Sequence, residues 1–128
     1  GSFGLECYSR GAKFVTFVEN YSKALEILKK NLIVLNATKS SKIIEENCFE
    51  YLSLDRNYND KFDIIFLDPP YKEIKINYLI DKIKDEKLLR NNGIIIIHRH
   101  KKDDIKITTK LNILDTRNYG ISKIVFGN

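Results

Sequence analysis

Two hydrophobic patterns alternate along the chain, and each predicts a different secondary structure. Unbroken apolar runs at Ile64–Leu67 and Ile94–Ile97 are typical of strands buried on both faces of a parallel sheet. Between residues 25 and 35, leucines recur at spacings of three, four and three, which predicts a helix with one apolar face. Strands that alternate with helices predict an α/β fold, a mostly parallel sheet covered on both faces.

The same patterns give bounds for each element of a single predicted domain, residues 1–128. The predicted helices are Ser2–Ser9, Ser22–Asn36, Cys48–Leu54 and Ile76–Asp85. The predicted strands are Lys13–Val18, Lys42–Glu46, Ile64–Leu67, Ile94–Ile97, Lys110–Asp115 and Ser122–Phe126. The last two strands lie on either side of Tyr119 and Gly120, so we expect an antiparallel hairpin to close one edge of the sheet.

The predicted strand at Ile64–Leu67 ends on Asp68, Pro69, Pro70 and Tyr71. Proline has no N–H and restricts the residue before it, so a central strand cannot continue through this segment. Asp68 therefore lies at the carboxyl end of a buried strand, where open α/β sheets bind their ligands.

These four residues suit the recognition of a planar exocyclic amine. Asp68 can accept one amine N–H and a carbonyl of the Pro-Pro turn the other, which aims the nitrogen lone pair at an electrophile. Tyr71 offers a flat face on which a base can stack. The alternative interpretation is a strand end followed by a stiff turn, with an incidental aspartate.

Other predicted strand ends carry residues that suit a nucleoside. Gly1 and Gly4 form a turn into the first helix, where a backbone can approach a ligand closely. Glu19 can accept hydrogen bonds from a ribose diol, and the Asn47 amide can pair with an adenine edge. Taken singly, Glu19 is also explained as a helix-start carboxylate and Asn47 as a helix cap. Together with Asp68, they describe a nucleoside cofactor beside an amine-binding loop.

Composition narrows the class of protein. The chain has 43% hydrophobic and 30% charged residues, with no apolar run near the ~20 residues of a membrane span. A net charge of +5 favours an anionic partner such as nucleic acid, although solubility alone would also explain it. Cys7 and Cys48 lack paired or metal-type spacing and are interpreted as reduced thiols of a cytoplasmic protein. Without a Cys/His cluster, no metal is expected.

Four segments together resemble the RsmD family, class I S-adenosylmethionine-dependent methyltransferases that act on a guanine N2 of 16S ribosomal RNA. The segments are Gly1–Ala12, Phe17–Glu19, Phe62–Tyr71 and Arg117–Gly120. The resemblance runs across nearly the whole chain. The Asp-Pro-Pro-Tyr sequence is shared with adenine-N6 and cytosine-N4 methylases, so by itself it indicates amine methylation and not the base.

The resemblance implies a Rossmann-like class I methyltransferase sheet with S-adenosylmethionine as cofactor. The partner would be 16S ribosomal RNA or a small-subunit assembly particle, and the protein a cytoplasmic monomer. The implied catalytic residues are Asp68, Pro69, Pro70 and Tyr71. The implied cofactor-binding residues are Gly1, Gly4, Glu19, Asn47 and Cys48.

Two features depart from the family pattern. The chain contains no Met, and the strand expected before Gly1 is absent, so we expect an N-terminal truncation and a sheet without its first strand. His98 ends a predicted strand where the family commonly has Glu, and we assign it no catalysis. Two other functions stay open: an amine methylase acting on DNA or protein, and a non-catalytic nucleic-acid-binding fragment.

Overall fold

A computed structural model divides the chain into two units, Gly1–Leu54 and Asp55–Asn128. The structure describes residues 1–53, 56–70, 73–104, 106–107 and 110–128. Helices α1 to α4 are Ser2–Ser9, Ser22–Val34, Cys48–Ser53 and Ile76–Asp85. Strands β1 to β6 are Val15–Val18, Ser41–Ile44, Phe62–Leu67, Leu89–His100, Ile113–Tyr119 and Ser122–Gly127. None of the helices described is both long and apolar enough to pass through a bilayer.

The first unit contains a two-stranded parallel sheet, β1 beside β2. Its buried core consists of Phe17, Leu28, Leu32 and Ala37. Leu28 and Leu32 of the predicted leucine stripe are buried, which confirms the centre of the apolar face, whereas Leu35 is 41% exposed and follows the end of α2. The helix ends two residues earlier than predicted, because Asn36 adopts a left-handed conformation with φ of 54° that closes it.

Gly4 allows α1 to lie directly against the Phe17 ring of β1. A Cβ atom added at Gly4 would lie 2.4 Å from Phe17 Cε1 and 3.0 Å from Val15 Cγ1, closer than real Cβ contacts allow. The glycine thus has a packing role in the first unit, whatever else it does.

Gly4→Ala is expected to destabilise the protein by about 1–3 kcal/mol, because the new methyl group overpacks the contact with Phe17. Helix propensity alone predicts the opposite sign, a stabilisation of up to about 1 kcal/mol. Equilibrium urea unfolding of the full-length protein measures the difference. Ser2→Ala, at an exposed position of the same helix, is the control and should change stability by less than about 0.5 kcal/mol. A stabilised Gly4→Ala variant would contradict the packing role.

The second unit contains a four-stranded sheet in the order β3-β4-β6-β5. β3 and β4 are parallel and connected through α4, whereas β4, β6 and β5 pair antiparallel. The hairpin of β5 and β6 confirms the predicted antiparallel edge. Helix α4 has the predicted bounds and buries its apolar face, Ile76, Leu79, Ile80 and Ile83.

Three expectations for the second unit are wrong in detail. Ile64 of β3 is 48% exposed, so this strand is not buried on both faces; among the strands that the structure describes, it lies at the edge of its sheet, next to β4. β4 begins at Leu89 and not at Ile94. An irregularity in its register with β3, where Asn92 has a φ of 65°, allows the polar residues before the apolar run to belong to the strand. β5 begins at Ile113 and runs on to Tyr119, so the hairpin turn is Gly120 and Ile121.

Candidate active site

Asp68 directly follows β3, as predicted, and its side chain is 59% exposed. Beyond it, the Pro70 carbonyl accepts a hydrogen bond from the Glu73 N–H at 3.0 Å. The structure thus places Asp68, Pro69 and Pro70 at the carboxyl end of a parallel strand. Tyr71, the fourth predicted member of this group, lies outside the described residues.

The Asp68 carboxylate is held by a histidine from the neighbouring strand. His98 Nδ1 lies 2.8 Å from Asp68 Oδ1, and His98 Nε2 lies 2.9 Å from the Ser122 hydroxyl. An ionised carboxylate only accepts hydrogen bonds, so Nδ1 is the protonated nitrogen of this pair. In the neutral imidazole, Nε2 then accepts the hydrogen bond that the Ser122 hydroxyl donates.

Strand register explains why three residues distant in sequence meet. Leu67 pairs with Ile97 across the parallel strands, so the next residues, Asp68 and His98, project on the same face. His98 pairs with Ile124 across the antiparallel ladder, and Ser122 is the diagonal neighbour two residues away. The cluster is therefore set by the backbone of three strands.

A cavity of about 180 Å³ opens beside this cluster. Its lining residues are Asp68, Pro69, His98, Arg99, His100, Asp103, Ile121 and Ser122. The cavity is smaller than the roughly 300–1,000 Å³ of sites that hold drug-sized molecules. Its size suits one planar ring better than a whole nucleoside cofactor.

The predicted cofactor residues lie in the first unit, two of them at one sheet edge. Val18 and Ile44 pair in parallel, so Glu19 and Asn47 follow the carboxyl ends of neighbouring strands. Glu19 accepts a hydrogen bond from the Asn20 N–H at 3.2 Å through one oxygen, which leaves the other oxygen for a diol. Asn47 caps α3: its side-chain oxygen accepts the Phe49 N–H at 2.8 Å, so its NH₂ group is what can meet an adenine edge.

Gly1 and Gly4 both approach the Phe17 ring, and Cys48 begins α3. Cys7 and Cys48 are half-buried thiols outside any disulfide, which agrees with the predicted reduced state. Burial, and secondarily the neighbouring Glu6, raise the pKa of the Cys7 thiol, which keeps it protonated at neutral pH. The first unit thus places Glu19 and Asn47 at one sheet edge, and a glycine-containing helix against the strand that precedes Glu19.

Comparison with known proteins identifies the family. The model of the family described as conserved hypothetical protein 95 matches residues 1–128, the whole chain. The chain belongs to this family. The resemblance to RsmD-type methyltransferases that the sequence indicated is therefore confirmed.

Two curated relatives carry ribosomal RNA methyltransferase names. The ribosomal RNA small subunit methyltransferase D of Buchnera aphidicola is 36% identical over 105 residues, which cover 82% of this chain and 53% of that protein. The same-named protein of Haemophilus influenzae is 30% identical over 122 residues, covering 94% of this chain and 63% of that protein. The chain thus spans between half and two thirds of the length of these relatives.

A solved structure is similar in fold to this chain. HI0767 of Haemophilus influenzae, a proposed methylase, has a TM-score of 0.83 at 28% identity, over 99% of this chain and 79% of that one. The predicted α/β, Rossmann-like class I fold is confirmed.

Within this family member, sequence reasoning missed His98 and Ser122 as neighbours of Asp68. A signal was available for His98: the apolar runs ending at Leu67 and Ile97 have the same length, and aligning them in parallel places Asp68 beside His98. Ser122 had no comparable signal, because its position depends on the register of the hairpin.

Beside the cluster, a buried ion pair fixes the end of β4. Arg99 and Asp103 side chains are 2% and 5% exposed and are hydrogen-bonded to each other. The Asp103 N–H donates to the His100 carbonyl at 2.9 Å, and the Lys101 N–H to the Ile121 carbonyl at 2.7 Å. The pair thus connects the turn after β4 to the wall of the cavity.

Proposed function

We propose that this chain transfers a methyl group from S-adenosylmethionine to the exocyclic N2 amine of a guanine in 16S ribosomal RNA. The observation that carries the proposal is the exposed Asp68 carboxylate at the carboxyl end of β3, bound by His98 through one oxygen. Membership of the family and the names of its small-subunit ribosomal RNA relatives support the substrate class.

In this proposal, Asp68 and the Pro69 carbonyl accept the two N–H groups of the amine. That orients the nitrogen lone pair, and both groups lie where positive charge develops on nitrogen. When bound, S-adenosylmethionine supplies the methyl group on a sulfonium, an electrophile that needs no activation by the protein. No strong base is required before attack, because the nitrogen becomes acidic only after it is alkylated; its proton then passes to water, and S-adenosylhomocysteine is the other product. Tyr71 is proposed to stack on the base.

The cofactor is proposed to bind to the first unit through Gly1, Gly4, Glu19, Asn47 and Cys48. The hydrogen-bonding groups of these residues fit such a cofactor. Glu19 has an oxygen that can accept from the ribose diol, and Asn47 has an NH₂ group that can donate to the adenine. The side of Gly4 where a Cβ would lie is packed against Phe17, so Gly4 would meet the cofactor through its backbone alone.

The RNA partner is supported by the positive charge of the chain, +5. A base inside a duplex cannot reach a loop at a strand end, so the target nucleotide has to be unpaired or flipped out. Arg10, an exposed cation of the first unit, is already paired with Glu6 at 2.8 Å. On the hairpin, hydrogen bonds to Tyr119 and Asp115 raise the pKa of Arg117, which therefore stays charged.

The direct test uses the full-length protein with labelled S-adenosylmethionine. The substrates are small-subunit particles and naked 16S RNA, both from cells that lack the enzyme. Mass spectrometry of the digested RNA should find N2-methylguanosine. If methyl groups are found on adenine N6 or cytosine N4, the target base is not guanine. If the label is found in ribosomal protein, the substrate is not RNA. Cofactor binding without transfer to any substrate would favour the non-catalytic alternative.

Glu19→Ala is expected to weaken cofactor binding by roughly 1–3 kcal/mol, because charge-assisted hydrogen bonds to the ribose are lost. Isothermal titration calorimetry of the full-length protein measures the change, and RNA affinity should stay nearly constant. Glu26→Ala is the matched control, since it removes an exposed carboxylate that pairs with Lys30 in the same unit. Equal cofactor affinity of the wild type and Glu19→Ala would leave Glu19 as a strand-end residue only.

A further inference from the structure

The contact between His98 and Asp68 contributes little to stability. The two side chains are 36% and 59% exposed, and at such exposure water screens the attraction between charged groups. A contact that does little for the folded state can still matter if it fixes an orientation. Its effect then falls on the geometry of Asp68.

The orientation of the Asp68 carboxylate depends on this contact, because among the described residues His98 is the side chain that hydrogen-bonds to it. Asp68 lies on an exposed segment between a strand end and two prolines, where a carboxylate has freedom about its side-chain torsions. The bond from His98 Nδ1 to Oδ1 selects one orientation and occupies one oxygen. The other oxygen, Oδ2, is then directed away from the imidazole and can accept an N–H from a substrate.

Ser122 extends the support by one residue. Its hydroxyl lies 2.9 Å from His98 Nε2, so it helps to fix the orientation of the ring, and it can donate to Nε2 when the Asp68 carboxylate holds the proton on Nδ1. The tautomer with the proton on Nδ1 is the neutral form that can donate to Asp68. A partner behind a histidine tunes metal-ligating and catalytic imidazoles in the same way.

We propose that His98 is a positioning residue for the acceptor amine, holding Asp68 in its productive orientation, with Ser122 fixing the orientation of the His98 ring. The inference rests on the proposed methyl transfer and adds two residues to it. The cavity of about 180 Å³ at these side chains is then where the base that carries the amine binds.

The experiment compares steady-state kinetics of three His98 and Ser122 variants in the full-length protein. His98→Ala should lower kcat by about 10- to 100-fold, the effect of losing a hydrogen bond to a charged group. KM for the cofactor should stay within about twofold, because the loss of an interaction that acts only in the transition state lowers kcat and leaves ground-state binding unchanged. His98→Asn, whose amide can replace Nδ1–H as donor, should restore most of kcat. Ser122→Ala should have a smaller effect than His98→Ala.

Two further measurements separate positioning from a general structural role. In the Asp68→Ala background, His98→Ala should lower kcat no further, since its effect passes through Asp68. ¹⁵N NMR of the wild type should show His98 protonated on Nδ1, and Asp68→Ala should shift that tautomer population. The matched control is Arg90→Ala, which removes another exposed contact between β3 and β4, Arg90 to Asp63 at 3.1 Å, and should leave kcat unchanged.

The outcomes distinguish this proposal from the proposed function. An active wild type in which His98→Ala keeps full kcat, or in which the two substitutions act additively, overturns the positioning role alone. A wild type inactive on every RNA substrate overturns the methyl transfer and the positioning role with it. A serine hydroxyl, a histidine and an aspartate that are hydrogen-bonded in this way also form the catalytic triad of serine hydrolases. Covalent labelling of Ser122 by a fluorophosphonate would therefore overturn the positioning role in favour of a nucleophilic serine.

Discussion

Asp68→Ala is expected to lower kcat for methyl transfer by about 10²–10³-fold or more. In the proposed function, Asp68 accepts an amine hydrogen and faces the positive charge that develops on nitrogen, and removal of one such group typically has this effect. Cofactor affinity should be nearly unchanged, because Asp68 contacts the acceptor and not the sulfonium. Single-turnover kinetics with saturating cofactor separate the two quantities.

Asp68→Asn is the control for charge. It keeps an acceptor oxygen but loses the negative charge, so its kcat should fall between the wild type and Asp68→Ala. Neither variant should unfold, since the contact they remove is exposed and worth at most about 1 kcal/mol. Full turnover of Asp68→Ala in a folded, cofactor-bound protein would contradict the proposed catalytic role of this strand end.

The second large effect concerns stability. Asp103→Ala is expected to destabilise the protein by about 3–5 kcal/mol, because it leaves the buried Arg99 guanidinium without its carboxylate. That loss is a large part of the roughly 5–15 kcal/mol by which a domain is stable. Urea or thermal unfolding followed by circular dichroism measures it.

Two comparisons make this result specific to burial. Asp63→Ala removes the exposed partner of Arg90 in the same sheet and should cost less than about 1 kcal/mol. The double variant Arg99→Met with Asp103→Leu should recover much of the lost stability, because it removes both charges from the interior. If Asp103→Ala and Asp63→Ala lower the free energy of unfolding by the same amount, burial does not make the unpaired Arg99 charge costly.

The sequence predicted some elements closely because their signals are local. α1 and α4 have the predicted bounds: α4 carries an apolar stripe between polar segments, and α1 is followed by Gly11, which adopts a φ of 104° that ends a helix. Asp68, Pro69 and Pro70 were placed correctly after a strand, since a proline lacks the N–H that a strand ladder uses and so provides a local stop signal.

What sequence reasoning missed depends on contacts between distant residues. The start of β4 depends on an irregularity in its pairing with β3, which an apolar run does not reveal. The roles of His98 and Ser122 depend on the register of two ladders. The burial of Arg99 depends on a carboxylate four residues later that the sequence presents as part of a charged surface loop.

The exposed edge strand β5 also bears on solubility. All seven of its residues are exposed, Ile113, Leu114 and Tyr119 among them, and within the described part of the chain it pairs on one side only, with β6. Such an edge can recruit a strand from another molecule and start aggregation. An irregular register between Ile113 and Asp115, and the charges of Asp115 and Arg117, interrupt the flat template that a fibril requires. These charges act as gatekeepers at the edge of the hairpin.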